Sequence, residues 1–149
     1  MDARRMARLA AVQALYQMEH SGTGVKQIIR EFQDHRLGTE LDGAAIREAD
    51  ADFFADLVQG VVDLQVKIDP FIERHLSEGW TLKRLDATAR AILRGGIYEL
   101  LRRVDVPYKV VIDEYVDIAT SFFEAGTSEP GFVNGVLDSC AGEVRTDER

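Results

Sequence analysis

The chain has 149 residues, 46% of them hydrophobic and 30% charged, with 26 acidic and 18 basic side chains and a net charge of −8. That length suits one domain with a real core, no stretch approaches the ~18 uninterrupted apolar residues of a membrane span, and the lone Cys140 excludes an internal disulfide or a thiolate metal cluster. Taken alone, the acidity speaks against general affinity for nucleic acid.

Strong helix formers from Ala3 to His20 predict a first helix, ended by the turn Ser21-Gly22-Thr23-Gly24. Val25, Ile28, Ile29 and Phe32 recur at helical spacing in a second, from Val25 to Arg36. Leu37 to Ala45, with Gly38 and Gly43, reads as a polar loop. A long helix follows from Ala49 to Ile68, with Phe53, Phe54, Leu57, Val58, Val61, Leu64 and Ile68 on one side. Asp69-Pro70 reads as an N-cap and a proline at the first helical position, opening a short helix to Leu76. Asp86 caps a helix from Ala87 to Arg103, whose inward face carries Ile92, Leu93, Ile97, Leu100 and Leu101. Its Gly95-Gly96 pair makes sense where another helix backbone packs closely. Pro107 starts a helix to Phe123. The β-branched run Val106–Ile112 could form a strand, but Val111, Tyr115, Ile118 and Phe122 continue at helical spacing. Ser128 caps a last helix to Glu143. The expected fold is all-α, a single compact bundle of about seven helices over residues 1–149, with 144–149 a disordered tail.

The net charge hides an uneven distribution. Residues 1–18 carry +2 and residues 83–109 carry +4, whereas residues 19–82 and 110–149 carry −7 each. Two basic segments on an acidic body would form a positive patch if they meet; two ordinary solvated helix faces are the plainer alternative.

Catalytic and metal signals are missing. His20, His35 and His75 carry no ligand spacing, and neither a dinucleotide fingerprint nor a Walker loop occurs. Cys140 lacks a nearby histidine and reads as a buried structural thiol. Asp113, Glu114 and Asp117 read as a solvated acidic face rather than an acid–base set. No metal and no cofactor are expected, and an enzyme is the weaker hypothesis.

On a wheel at ~100° per residue, Arg4, Arg8, Leu15, Val12, Arg5, Tyr16 and Leu9 share one sector of the first helix. Burying that side along its full length would bury arginines at high cost. Residues 1–8 are therefore expected to project as an arm whose guanidinium forks match phosphate. Tyr16 could stack on an unpaired base, and Gln13 offers an amide to a base edge. The same residues also fit a frayed helix end with solvated arginines and a core tyrosine, and by themselves they do not choose.

Arg4-Arg5-Met6-Ala7-Arg8, followed by Ala11-Val12-Gln13-Ala14-Leu15-Tyr16-Gln17, resembles the N-terminus of the NusB family of bacterial transcription antitermination factors. Three further blocks agree in order and spacing: Ala91-Ile92-Leu93-Arg94-Gly95-Gly96-Ile97-Tyr98-Glu99-Leu100, Val106-Pro107-Tyr108-Lys109-Val110-Val111-Ile112-Asp113-Glu114, and Pro130-Gly131-Phe132-Val133-Asn134-Gly135-Val136-Leu137-Asp138. The resemblance implies a NusB-like all-helical fold without enzymatic activity. It implies binding of boxA, a short single-stranded RNA element of ribosomal RNA operons, together with the small-subunit ribosomal protein acting as NusE. It also implies assembly with RNA polymerase and other Nus factors in antitermination.

Carried over by position, Arg4, Arg5, Arg8, Gln13, Tyr16, Phe132 and Asn134 are the implied RNA-binding residues. Arg90, Arg94, Tyr98 and Glu99 are a candidate face for the protein partner. With about three arginine–phosphate contacts, the log–log salt slope on single-stranded RNA should be near −2. Met6 stands where the family often has a third consecutive arginine, Thr120 where lysine is common, Asp113 where asparagine is frequent, and Glu129 where a basic residue is common. These departures lower positive charge and predict weaker RNA binding alone, with greater dependence on the partner. Two other readings stand beside this one: an RNA-binding accessory domain for a ribosomal RNA methyltransferase, and a protein-interaction bundle that has lost RNA binding and persists as a homodimer. Self-association is left open. The N-terminus MDARRMARLA lacks the apolar run of a signal peptide, so a cytoplasmic protein without membrane contact is expected.

Overall fold

The computed structural model describes residues 3–34, 50–124 and 126–148, and among them six α-helices and no strand occur. The expected loop 37–45 lies outside the described residues. The chain falls into two compact units, residues 1–63 and 64–149.

In the first unit, helix α1 (Ala3–Ser21) packs on α2 (Val25–Phe32). Gly22, with φ of +72°, adopts the left-handed conformation that stops α1, its N–H bonding Met18 O. Small residues on α1, Ala7, Ala11 and Ala14, are buried with Val12, and α2 buries Ile28 and Phe32. Phe32 stacks on Phe54 of α3 (Ala51–Arg74) with ring centroids 5.4 Å apart. Asp50 starts α3: its carboxylate accepts the Phe53 N–H at 2.9 Å, while its own N–H bonds Ala3 O at 3.1 Å.

Helix α3 corrects one expectation. The predicted break at Asp69-Pro70 does not occur, so the two helices expected there are one, and the described residues hold six helices where about seven were expected. A proline inside a helix costs roughly 3 kcal/mol by removing a hydrogen bond and crowding the preceding turn. Here Ile68, Phe71 and Ile72 are buried on either side of it. Asp69 caps nothing; it receives a two-pronged pair from Arg94, Nε to Oδ1 and Nη2 to Oδ2, both at 2.9 Å. Burial and the ion pair hold the helix straight through a sequence that locally favours a stop.

In the second unit, helices α4 (Ala87–Arg102), α5 (Tyr108–Phe122) and α6 (Glu129–Val144) pack pairwise on one another. Asp86 caps α4 as expected, accepting the N–H groups of Thr88 and Ala89. Val106–Ile112 is no strand: Pro107 precedes the first turn of α5. Ser128 occupies the N-cap of α6, but its side chain makes no cap hydrogen bond. The glycine pair of α4 does make room, although for side chains rather than a helix backbone. A Cβ on Gly95 would lie 3.0 Å from the Tyr115 ring, and one on Gly96 would lie 3.0 Å from Leu137. Tyr115 is fully buried and donates its hydroxyl to the equally buried Glu99 carboxylate at 2.6 Å.

The expected disordered tail is tied down as far as Glu148. Arg145, only 3% exposed, donates from Nε to Leu100 O (2.8 Å), from Nη1 to Val106 O (3.0 Å), and from Nη2 to Arg103 O (3.0 Å) and Glu99 O (3.2 Å). These carbonyls lie in the last turn of α4 and just beyond it, where the helix runs out of its own donors; Glu99 O also accepts the Arg103 N–H and Arg103 O the Val106 N–H. Arg145 also pairs with Glu148, whose carboxylate accepts the Tyr108 N–H at the start of α5.

Candidate nucleic-acid interface

The start of α1 does not project. The guanidinium carbons of Arg4 and Arg8 lie 4.4 Å and 5.1 Å from the centroid of the same buried ring, Phe53. Arg8 is 2% exposed, Arg4 and Arg5 are half-buried, and Gln13 is exposed. The expectation of an extended row of three guanidinium groups therefore fails for a physical reason: an aromatic face accepts a cation with little desolvation loss, so the arginines can be docked. Arg4 and Arg5 keep partial access to solvent; Arg8 belongs to the packing. Two turns further on, Tyr16 is 40% exposed and stacks on His20 with centroids 4.2 Å apart. Tyr16 is therefore not a core residue, and the exposed edge of α1 offers a ring pair beside a cationic helix start.

In the second unit, Phe132 is half-buried and Asn134 exposed, both on the first turns of α6. The proposed partner face on α4 is not a face. Arg90 donates to Leu82 O and Leu85 O at 2.8 Å and so fixes the 3-10 turn Leu82–Arg84. Arg94 is committed to Asp69, Tyr98 is buried, and Glu99 is fully buried beneath Tyr115. These four side chains build the interior of the unit, which accounts for their clustering in sequence at helical spacing.

Sequence reasoning passed over Trp80 and Arg84. Trp80 is the only tryptophan of the chain and is 48% exposed, with the Arg84 guanidinium 5.3 Å from its ring centroid. The Trp80 backbone N–H bonds Ser77 O, and Gly79 takes a φ of +88°, a conformation that glycine adopts without strain. Arg84 donates to Gly79 O at 2.6 Å, which ties the guanidinium to the turn that displays the indole. With Phe132 they border a groove of about 340 Å³. In the sequence the only signal is a lone tryptophan three residues before Lys83-Arg84, and nothing local marks its ring as exposed.

Two other groups complete the chemistry. Burial pushes the Cys140 thiol up to about 12, Glu143 adding to the shift and Arg74 opposing it, so the thiol stays protonated at neutral pH. His75, Ser139 and Glu143 come together: His75 Nδ1 lies 2.7 Å from Ser139 Oγ and Nε2 lies 3.1 Å from Glu143. This contact joins the end of α3 to α6 and needed the fold to appear. No described helix is long and apolar enough to cross a membrane.

Exposed rings next to guanidinium groups, on an all-helical scaffold, define the class of surface on which unpaired bases and phosphates are bound. Comparison gives the class its family. The NusB family model matches residues 5–142, and the chain belongs to the NusB family. It is 58% identical over 142 residues to the transcription antitermination protein NusB of Caulobacter vibrioides, covering 95% of this chain and 94% of that one. Among solved structures, T. maritima NusB superposes with a TM-score of 0.81 at 32% identity, covering 99% of this chain and 98% of that one. A chain from a crystal structure of antitermination factors NusB and NusE in complex with dsRNA gives a TM-score of 0.77 at 27% identity, covering 95% and 97%.

Proposed function

We propose that this chain is a non-enzymatic, cytoplasmic transcription antitermination factor. It binds boxA-type single-stranded RNA together with the ribosomal protein acting as NusE. With RNA polymerase and other Nus factors, it keeps elongation processive through ribosomal RNA operons. The reading is carried by the 58% identity to an antitermination protein over nearly the full length of both chains. Arg4 and Arg5 neutralise phosphates, Tyr16 and Phe132 stack on unpaired bases, and Gln13 and Asn134 offer amides to base edges. Arg8, packed on Phe53, holds the helix start in place rather than touching RNA. The mechanism is assembly: RNA and protein partner each supply part of the affinity.

Fluorescence anisotropy with a labelled boxA-type RNA at several salt concentrations tests this. Two phosphate contacts from the start of α1 give a log–log salt slope of about −1.4 instead of −2. Because Met6, Asp113, Thr120 and Glu129 lower the positive charge, adding the ribosomal protein should tighten binding. An affinity unchanged by that partner, or equal for a scrambled RNA with the partner present, overturns the reading.

A further inference from the structure

Within the second unit, the last turns of α3 and the end of α4 border a groove of about 470 Å³. None of the residues assigned to RNA lines it. Along α3, Leu64, Lys67, Phe71 and Arg74 follow one another at the a and d spacing of a coiled-coil seam, apolar and cationic side chains alternating. Leu101 and Arg102 line it from the end of α4. Three of its eight lining residues are cationic and none is acidic, on a chain with a net charge of −8. Lys67 and Arg102 are exposed and make no ion pair among the described residues. Arg74 pairs with Glu143 at 2.5 Å and lies over the Phe71 ring, 4.8 Å from its centroid. The same region carries the apolar exposure. Val66, on the groove, is 83% exposed, and Val104, two residues past Arg102, is 77% exposed. No other large apolar side chain among the described residues exceeds 48%. Apolar side chains grouped at one groove, rather than scattered, mark a contact surface.

Those features specify an occupant. From Leu64 to Arg74 the groove runs about 15 Å along α3, a length that suits a secondary-structure element and exceeds a single small anion. Its only ring, Phe71, is buried and already covered by Arg74, so no face is left for a base. Alternating apolar and cationic positions are matched by a helix whose facing edge carries apolar side chains flanked by carboxylates. A ribosomal protein, whose own ligand is a polyanion, is an unsuitable source of that helix. We propose that this groove docks an acidic amphipathic helix from a protein partner other than the ribosomal protein, seated on Leu64, Val66 and Leu101 with its carboxylates at Lys67 and Arg102. The net negative charge of the chain opposes such a helix in general, so the cations of the groove select where it lands. The inference concerns a separate surface and does not depend on the RNA-binding reading.

The probe is a fluorescein-labelled synthetic peptide of about 15 residues, the length at which an isolated helix begins to hold, with leucines at i, i+3 and i+7 and glutamates beside them. The control peptide has lysine at every glutamate. Anisotropy with the full chain should show the glutamate peptide binding about 10-fold or more tightly than the lysine peptide. Lys67→Glu combined with Arg102→Glu should reverse that order, with the circular dichroism of the parent retained. Val66→Asp should also weaken the glutamate peptide. Equal binding of the two peptides, no binding of either, or a preference that survives the charge reversal overturns the proposal. So does displacement of the glutamate peptide by boxA-type RNA or by the ribosomal protein, which assigns the groove to a partner already named. A parent that sediments as a dimer while the double variant sediments as a monomer also overturns it, because a second copy then fills the groove.

Discussion

Arg8 and Arg145 are both buried, in different units, and they sit in different surroundings. Arg8 lies over the face of Phe53, 5.1 Å from the ring centroid, a cation–π contact at the start of a helix. Arg145 spends its in-plane donors on four carbonyls around the end of α4 and on Glu148. The first arrangement docks a cationic helix start while Arg4 and Arg5 keep partial exposure; the second closes off a helix end. An arginine near a terminus is thus not evidence of a solvated arm, and what decides is whether rings or orphan carbonyls are within reach.

The largest effect should follow from Arg145→Ala. It strips partners from Leu100 O and Val106 O in the interior, and each buried carbonyl left alone costs about 1–3 kcal/mol. Summed with the lost packing, about 3 kcal/mol or more should appear as a Tm lower by about 6–12 °C. Arg145→Lys should recover little, because one ammonium cannot span the fork. Thermal unfolding checks both, and a Tm within ~2 °C of the parent would refute the lock.

Gly95→Ala comes next and probes the same unit from inside α4. The added methyl meets a Tyr115 ring that is buried and held by Glu99, so it cannot swing aside. Overpacking of about 1–3 kcal/mol should exceed the ~1 kcal/mol gained in helix propensity. Gly96→Ala meets a Leu137 side chain with more rotamer freedom and should cost less. A reversed order in urea midpoints would refute the assignment of Tyr115 as the rigid neighbour.

Arg8→Ala and Arg5→Ala then separate packing from RNA contact at the start of α1. Removing Arg8 should cost about 1–2 kcal/mol through the lost ring contact and buried stem, and leave the salt slope of RNA binding unchanged. Removing Arg5 should cost less stability and lower the slope magnitude by about 0.7, one phosphate's worth. A slope reduced by Arg8→Ala would return Arg8 to the RNA-contacting set.

The two regions also differ in how far sequence revealed them. The helices were legible because periodicity and caps are local: Asp86, Pro107 and the stripe Val111, Tyr115, Ile118 state their roles within one or two turns. Pro70 misled because its local preference is overridden by Arg94, 24 residues away, and by burial on both sides. At the site, Arg4, Arg5, Gln13 and Tyr16 share one helix and were visible as a group. The Trp80–Arg84–Phe132 groove joins a turn, a 3-10 segment and a helix start, and no single window contains it. Arg90, Arg94, Tyr98 and Glu99 were misread because a helical cluster of polar residues looks the same from sequence whether it faces solvent or the interior.

The smallest effect concerns the clasp between Glu148 and α5. Its carboxyl is held below the usual value of 4.5, first by the Tyr108 N–H and then by Arg145. A lowered folded-state pKa means the contribution is present above 4.5, where the unfolded chain is also ionised, and is lost as pH falls through the folded value. Glu148→Gln keeps an acceptor for Tyr108 but has no proton to gain. The urea midpoint of the parent should therefore exceed that of Glu148→Gln at neutral pH, and the two should converge as pH drops below 4.5. Because Arg145 stays charged throughout and keeps its four carbonyls, convergence should leave most of the lock intact. A gap that persists unchanged into strong acid would mean that Glu148 acts through shape alone and not through its charge.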